Sequence, residues 1–195
     1  AELVDHLIER LWLEHIAREE YGPQGLTLAA IGGYGRRQLF PYSDIDLLFI
    51  ARDAAVEGSQ KAAIRRLCQD LWDIGLRVSA TTRAMEECAR ISEEKPEGTR
   101  ALRDRRYVTG DFSLFQELDK ELVPRLIERR RSQLLAAIAR LAIARRGKFQ
   151  QTLFHLEPNV KDGMGGLRDF QTCTWLGQVL PEAAQYSASR YENEL

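Results

Sequence analysis

The chain of 195 residues contains only three cysteines, Cys68, Cys88 and Cys173. They lie far apart, form no CxxC pair and leave one thiol over if two are bridged. This argues against a disulfide framework and for reduced thiols packed as small core residues in a cytoplasm. No apolar run approaches the roughly 20 residues needed to span a bilayer. The opening AELVDHLIER is charged and helical in period rather than a basic and then apolar leader. A soluble, cytoplasmic protein with no membrane partner is expected. A surplus of either charge is also missing: 28 Lys and Arg stand against 29 Asp and Glu, so whole-chain charge neither favours nor excludes an acidic partner. There is no internal repeat and no low-complexity segment. What remains is an ordinary 44% of hydrophobic residues, in a chain long enough for one substantial core or for a domain with a helical appendage.

From Leu3 the apolar residues Leu3, Val4, Leu7, Ile8, Leu11, Trp12 and Ile16 recur at three- and four-residue steps. They predict a helix within residues 1–20, ended by YGPQG at Tyr21 to Gly25. LTLAAI, Leu26 to Ile31, reads as a buried strand running into Gly32 and Gly33, and DIDLLFI, Asp44 to Ile50, as a second strand. Between them only YGRRQLF, Tyr34 to Phe40, is free to be helical. Ser59 to Ile74 has helical period, Gly75 stops it, and LRVSATT, Leu76 to Thr82, has the β-branched alternation of a third strand. Helical segments then follow around Met85 to Ile91, Thr99 to Tyr107, Phe112 to Leu122 and Arg125 to Gln150, without strand signals. Charge, Pro and Gly cluster at SEEKPEG, Ser92 to Gly98, which places a junction there. The chain is therefore expected to be α+β, with a small mixed or antiparallel sheet flanked by helices in residues 1–95 and a mostly helical subdomain in residues 96–195. Arg125 to Lys148 is basic on one face, with Leu134, Leu135, Ile138, Leu141 and Ile143 on the other. With few aromatics among the charges, a solvated face is favoured over nucleic-acid binding. EPNVKDGMGGLRD, Glu157 to Asp169, is a long turn-rich loop of a kind that is often functional, leading into a helix through Trp175 to Val179.

The chemistry concentrates between Ala29 and Ile50, AAIGGYGRRQLFPYSDIDLLFI. Carboxylates at i and i+2 on a strand face the same way, about 7 Å apart at their Cα atoms. Asp44 and Asp46 would thus converge while Ile45 turns into the core, and two like charges so close need a cation. One candidate is an arginine, since Arg36 and Arg37 are a turn away. The other is a divalent metal, because two hard carboxylates completed by water and substrate phosphates are what Mg²⁺ uses in nucleotidyl-transfer sites. Gly32, Gly33 and Gly35 let backbone N–H groups approach a phosphate closely, with a short helix starting near Gly35 adding its positive end. A tight turn that needs positive φ would explain one such glycine more easily than three. The pattern is not a dinucleotide fingerprint: Gln38 stands where a third glycine belongs, and the eight residues between Gly35 and Asp44 are fewer than the dozen or so of a parallel crossover. Nor does a Gly-Lys-Ser or Gly-Lys-Thr follow, as a Walker loop requires.

GGYGRRQLFPYSDIDLLFI resembles the signature of the DNA polymerase β-like nucleotidyltransferase superfamily. Within it, Gly-Gly-Tyr-Gly-Arg followed by Leu-Phe-Pro-Tyr-Ser-Asp-Ile-Asp-Leu is similar to the bacterial protein-PII uridylyltransferase/uridylyl-removing enzymes. Three further stretches carry the resemblance: LWDIGLRVSATTR at Leu71 to Arg83, RRYVTGDFSLFQEL at Arg105 to Leu118 and LEPNVKDGMGGLRDFQT at Leu156 to Thr172. It implies a nucleotidyltransferase fold and Mg²⁺-dependent transfer of UMP from UTP to a tyrosine of the nitrogen regulatory protein PII, with release of pyrophosphate. Asp44 and Asp46 would be the catalytic, Mg²⁺-holding pair. Gly32 and Gly33 would bind the triphosphate, with Arg36 and Ser43 as further nucleotide-binding candidates, and the helical subdomain would choose the acceptor.

The resemblance has two departures. Many members of the superfamily carry a third carboxylate on the strand that here reads LRVSATT, but Ser79 holds the expected position and Arg77 flanks it; Asp104, Asp73 and Glu86 are possible substitutes. Complete family members also continue into a His-Asp phosphohydrolase domain and glutamine-sensing domains. This chain's histidines are only His6, His15 and His155, and no His-Asp dipeptide occurs, so an excised transferase portion is expected. Two alternatives stay open: a transferase of the same fold acting on another acceptor, and a degenerate module that binds nucleotide or PII without turnover.

Overall fold

The computed structural model describes residues 1–17, 24–89, 104–148 and 159–181. The amphipathic N-terminal segment forms helix α1 (Glu2–His15), with Glu2 and Asp5 in its first turn, where carboxylates favour the positive end of the aligned peptide dipoles. It buries Ile8 and Trp12. His15 Nε2, 2.6 Å from Asp70 Oδ2, ties its end to the next long helix.

Strand β1 (Leu26–Ala30), buried at all five positions, leads into a single helical turn, α2 (Gly32–Gly35). Strand β2 (Ile45–Ala51) follows, then helix α3 (Ala54–Asp73), whose cap is Asp53 accepting from the N–H groups of Ala55 and Val56. Strand β3 (Val78–Ala84) and the short helix α4 (Met85–Ala89) come next. A fourth strand, β4 (Arg106–Gly110), completes a sheet of order β3-β2-β1-β4. The β2–β3 pair is parallel and the other two pairs are antiparallel. The chain is thus α+β with a small mixed sheet, as its pattern predicts.

Alternation sorts β2 into two faces. Ile45, Leu47, Phe49 and Ala51 join Leu26, Leu28 and Ala30 of β1 in the main core, against Trp12 of α1 and Leu67 and Leu71 of α3. Trp12 stacks on Phe49 at 6.4 Å between ring centroids. Asp46, Leu48 and Ile50 fall on the opposite face. Cys68 and Cys88 are buried, and burial pushes each thiol up to about 11, so they are inert packing residues. Cys173 is exposed, unlike the core position expected for it.

Three segments differ from their sequence reading. Residues 106–110, with Arg106 and Tyr107 expected at the end of a helix and no strand signal, pair with β1, and the register slips between Leu28 and Ala29. The short helix lies on the glycines rather than on Tyr34 to Phe40, because Arg37 leaves the helical region at φ +61°. The stretch expected as one helix from Arg125 to Gln150 is two, α6 (Val123–Arg129) and α7 (Arg131–Lys148), preceded by α5 (Phe112–Glu117) and a wide helical turn at Leu118–Leu122. The junction expected at Ser92 to Gly98 lies outside the described residues, as does His155.

Two compact units divide the chain, Ala1–Pro124 and Arg125–Leu195. In the second, Ile138 of α7 packs with Trp175 and Val179 of helix α8 (Leu167–Val179). Ile143, expected on the inward face of α7, is 70% exposed. The turn before α8 is held by its own bonds: Asn159 Oδ1 accepts from the N–H groups of Lys161 and Asp162, and Asp169 accepts from Gly165 N–H and pairs with Arg145. The hydrogen bonds and the Arg145 charge outweigh the burial that raises the Asp169 pKa, and hold its carboxyl below the usual range. No helix among the described residues is long and apolar enough to cross a membrane.

Candidate active site

Where β1 ends, Ile31 N–H donates to the Asp46 carbonyl at 3.0 Å, which folds the glycine turn back over the start of β2. Gly32 sits at φ +60°, and a Cβ there would lie 2.8 Å from Asp46 Oδ2. The glycine and the carboxylate are therefore close neighbours, and a side chain here would strain the left-handed backbone and push the carboxylate aside. Gly35 is required for a different reason, since its Cβ would lie 1.8 Å from the Asp104 carbonyl oxygen. Gly33 is the least constrained, its Cβ meeting only the Gln38 carbonyl at 3.3 Å.

Asp44 stands one residue before β2, with its side chain 65% exposed and Oδ1 3.4 Å from Arg77 Nε. Between the two aspartates Ile45 is buried in the core. In the β2–β3 register Asp46 pairs with Ser79, so the position expected to bear a third carboxylate does lie beside Asp46 and carries a hydroxyl. The other acids considered for that role are elsewhere: Asp104, its side chain 7% exposed, is paired with Arg36, Asp73 accepts from Gln69 at the end of α3, and Glu86 belongs to α4. No group of three or more His, Cys, Asp or Glu among the described residues could hold a metal ion. Asp44 and Asp46 would offer two carboxylates. That is too few for an all-protein cage, but it suits an ion such as Mg²⁺ that keeps waters and shares its coordination with substrate phosphates.

The remaining sequence candidates have local partners. Arg36 Nε donates to Gln38 Oε1 at 3.0 Å and its NH1 to Asp104. Ser43 Oγ accepts from Phe40 N–H and Ser43 N–H donates to the Phe40 carbonyl, both at 3.0 Å, closing the turn before Asp44. An open depression of about 480 Å³ adjoins Asp44, lined also by Trp72, Gly75, Leu76, Arg77 and Ser79.

Sequence reasoning missed the support beneath the turn. Tyr34, fully buried, donates its hydroxyl to Asp5, and Arg106 grips Asp5 at 2.9 and 3.0 Å while lying 5.2 Å over the Tyr34 ring. Burial and the Asp5 carboxylate push the Tyr34 pKa up, so its hydroxyl stays a donor. Burial also opposes ionisation of Asp5, but the bonds from Arg106 and Tyr34 outweigh it and hold the carboxyl below its usual range. No local signal announces this triad, since Asp5 and its partners are 29 and 101 residues apart.

A glycine turn set against the second carboxylate of an Asp-x-Asp pair, on a small mixed sheet, fits the nucleotidyltransferase class that the sequence resembles. Residues 129–193 match the family model described as GlnD PII-uridylyltransferase. The chain is 38% identical over 176 residues to a bifunctional uridylyltransferase/uridylyl-removing enzyme of Pseudomonas entomophila, covering 90% of this chain and 19% of the relative. It is 35% identical over 168 residues to the enzyme of that name from Caulobacter vibrioides, covering 85% and 18%, and 34% identical over 172 residues to that of Pasteurella multocida, covering 88% and 19%. It is similar to these enzymes and spans about a fifth of their length. A solved toxin–antitoxin structure with AMP-PNP is similar at a TM-score of 0.43 and 13% identity, over 70% of this chain and 97% of that one, too distant a likeness to bear on function.

Proposed function

We propose that the chain carries a nucleotidyl-transfer site that moves UMP from UTP to a tyrosine of the protein PII, in the cytoplasm, with Mg²⁺ as cofactor. The contact between Gly32 and the Asp46 carboxylate carries this reading, because it joins a backbone suited to phosphate to a ligand for the cation that phosphate brings. Uridine and PII enter through the names of the family and its relatives.

In this reading Asp44 and Asp46 hold Mg²⁺ together with triphosphate oxygens, and Gly32 and Gly33 present backbone N–H groups to the phosphates. Arg36 and Ser43 keep the turn in shape through Asp104 and Phe40. The acceptor hydroxyl oxygen bonds to the α-phosphorus of UTP as the bond to the pyrophosphate oxygen breaks, and the hydroxyl proton leaves to solvent. When bound, Mg²⁺ neutralises phosphate charge and stabilises the attacking and leaving oxygens.

Incubation with Mg²⁺, PII and labelled UTP, ATP or CTP tests it: label should pass to PII from UTP, with pyrophosphate released. Transfer from ATP but not UTP points instead to a transferase of the same fold with another acceptor. Ser79 beside Asp46 and Arg77 on Asp44 favour one further reading, a module that binds nucleotide or PII without turnover. UTP binding that is indifferent to Mg²⁺, with no pyrophosphate formed, is its signature.

A further inference from the structure

Asp44 meets a cation of the protein's own. Ile45 N–H donates to the Arg77 carbonyl at 2.8 Å, and the following residues pair in parallel register, Ile45 with Val78 and Asp46 with Ser79. Arg77 is thus placed beside Asp44 by the backbone ladder rather than by the attraction of the two side chains. Arg77 is 61% exposed and Asp44 65%, and both border the same open depression. An ion pair this open contributes less than about 1 kcal/mol and separates readily. The neighbouring pair contrasts with it: Arg36 is 21% and Asp104 7% exposed, and Arg36 also holds Gln38. Of these two arginine–carboxylate pairs near the glycine turn, one is fixed and the other exchangeable.

Resting on the reading of Asp44 and Asp46 as cation ligands, we infer that Arg77 is a displaceable counter-ion of the site. Its guanidinium neutralises Asp44 in the free protein, yields that carboxylate to an entering divalent cation, and then turns to the triphosphate oxygens that arrive with the ion. The charges require such an exchange. Two carboxylates two residues apart repel, and Ser79 adds no third charge to attract a second ion. A bare cation must compete with Arg77 for Asp44 and offers the arginine nothing in return. A cation carrying a triphosphate gives the freed guanidinium an anionic partner that its planar N–H fork fits. The site therefore selects the metal–triphosphate complex over the metal alone, and Arg77 acts as a positioning and selectivity residue.

The test is Mn²⁺ binding to the whole chain, followed by electron paramagnetic resonance, with Mn²⁺ alone and with Mn²⁺ plus a non-hydrolysable UTP analogue. Arg77→Gln should tighten bare Mn²⁺ by about 1.5- to fivefold, the range set by an exposed pair, and should weaken the metal–triphosphate complex by a similar factor. Arg77→Lys should lie between that variant and the wild type. Arg52→Gln removes a comparably exposed arginine, 50% exposed and 3.5 Å from Glu117, and should change neither affinity, which separates local pairing from net charge. In an Asp44→Asn background, Arg77→Gln should no longer alter bare Mn²⁺ binding. The inference is overturned if Arg77→Gln does not tighten bare Mn²⁺, if the gain persists without the Asp44 carboxylate, or if both affinities move in the same direction. Wild-type Mn²⁺ binding by the Asp44→Asn, Asp46→Asn double variant would remove the ligand reading, and this inference with it.

Discussion

At Gly32 the backbone runs at φ +60°, and the Asp46 carboxylate fills the space a Cβ would take. Gly32→Ala should cost about 1–2 kcal/mol in urea unfolding from backbone strain alone, and it should lower triphosphate affinity by more than the lost stability explains. Gly35→Ala should be the most destabilising of the three glycine changes, because the atom it strikes is main-chain carbonyl. Gly33→Ala should be the mildest. Equal effects at all three positions would contradict these separate roles. The cluster and the Asp-x-Asp pair are legible in the sequence because the residues are contiguous and their chemistry is local. Which glycine answers to φ, which to Asp46 and which to Asp104 is not, because Asp104 is 69 residues beyond Gly35 and on a segment with no sequence signal for that approach.

Helices α1 and α3 and strands β1 and β2 follow from their apolar periods, since each buries a continuous stripe or face, while the largely exposed β3 follows from its β-branched residues. Strand β4 does not. Of its residues only Val108 is buried, so no apolar run marks it, and its pairing with β1 decides its form. The Asp5–Tyr34–Arg106 triad joins α1, α2 and β4 through side chains alone. Losing Asp5 leaves Arg106, 19% exposed, without that partner, so Asp5→Asn should destabilise the fold by about 1–3 kcal/mol near neutral pH. The folded pKa of Asp5 is depressed below 3.8, so its contribution is fully present above that value and is lost as pH falls through 3.8 toward the lower folded pKa. Asp111 is depressed too, its bonds to Ser113 and to the N–H groups of Gly25 and Leu114 outweighing burial. Thermal melts of the wild type should therefore fall steeply below about pH 4, and those of Asp5→Asn less steeply. Parallel slopes would show that the triad does not contribute as described.

Across the whole molecule, the residues that match the family model, 129–193, lie in the second compact unit, while Asp44, Asp46 and the glycine turn lie in the first. The family match and the geometry of the glycine turn are thus observations on different parts of the chain. The fold class was readable from pattern, and the closeness of Asp44 and Asp46 in the chain from spacing. The Arg77 contact was not, because it depends on where β3 enters the sheet beside β2. The most direct measurement is Mg²⁺-dependent transfer of labelled UMP from UTP to PII by the wild type and by the Asp44→Asn, Asp46→Asn double variant, with thermal melts of both. Transfer should fall at least about a hundredfold in the variant while its melting transition is retained. Undiminished transfer by the folded double variant would contradict the assignment of the site.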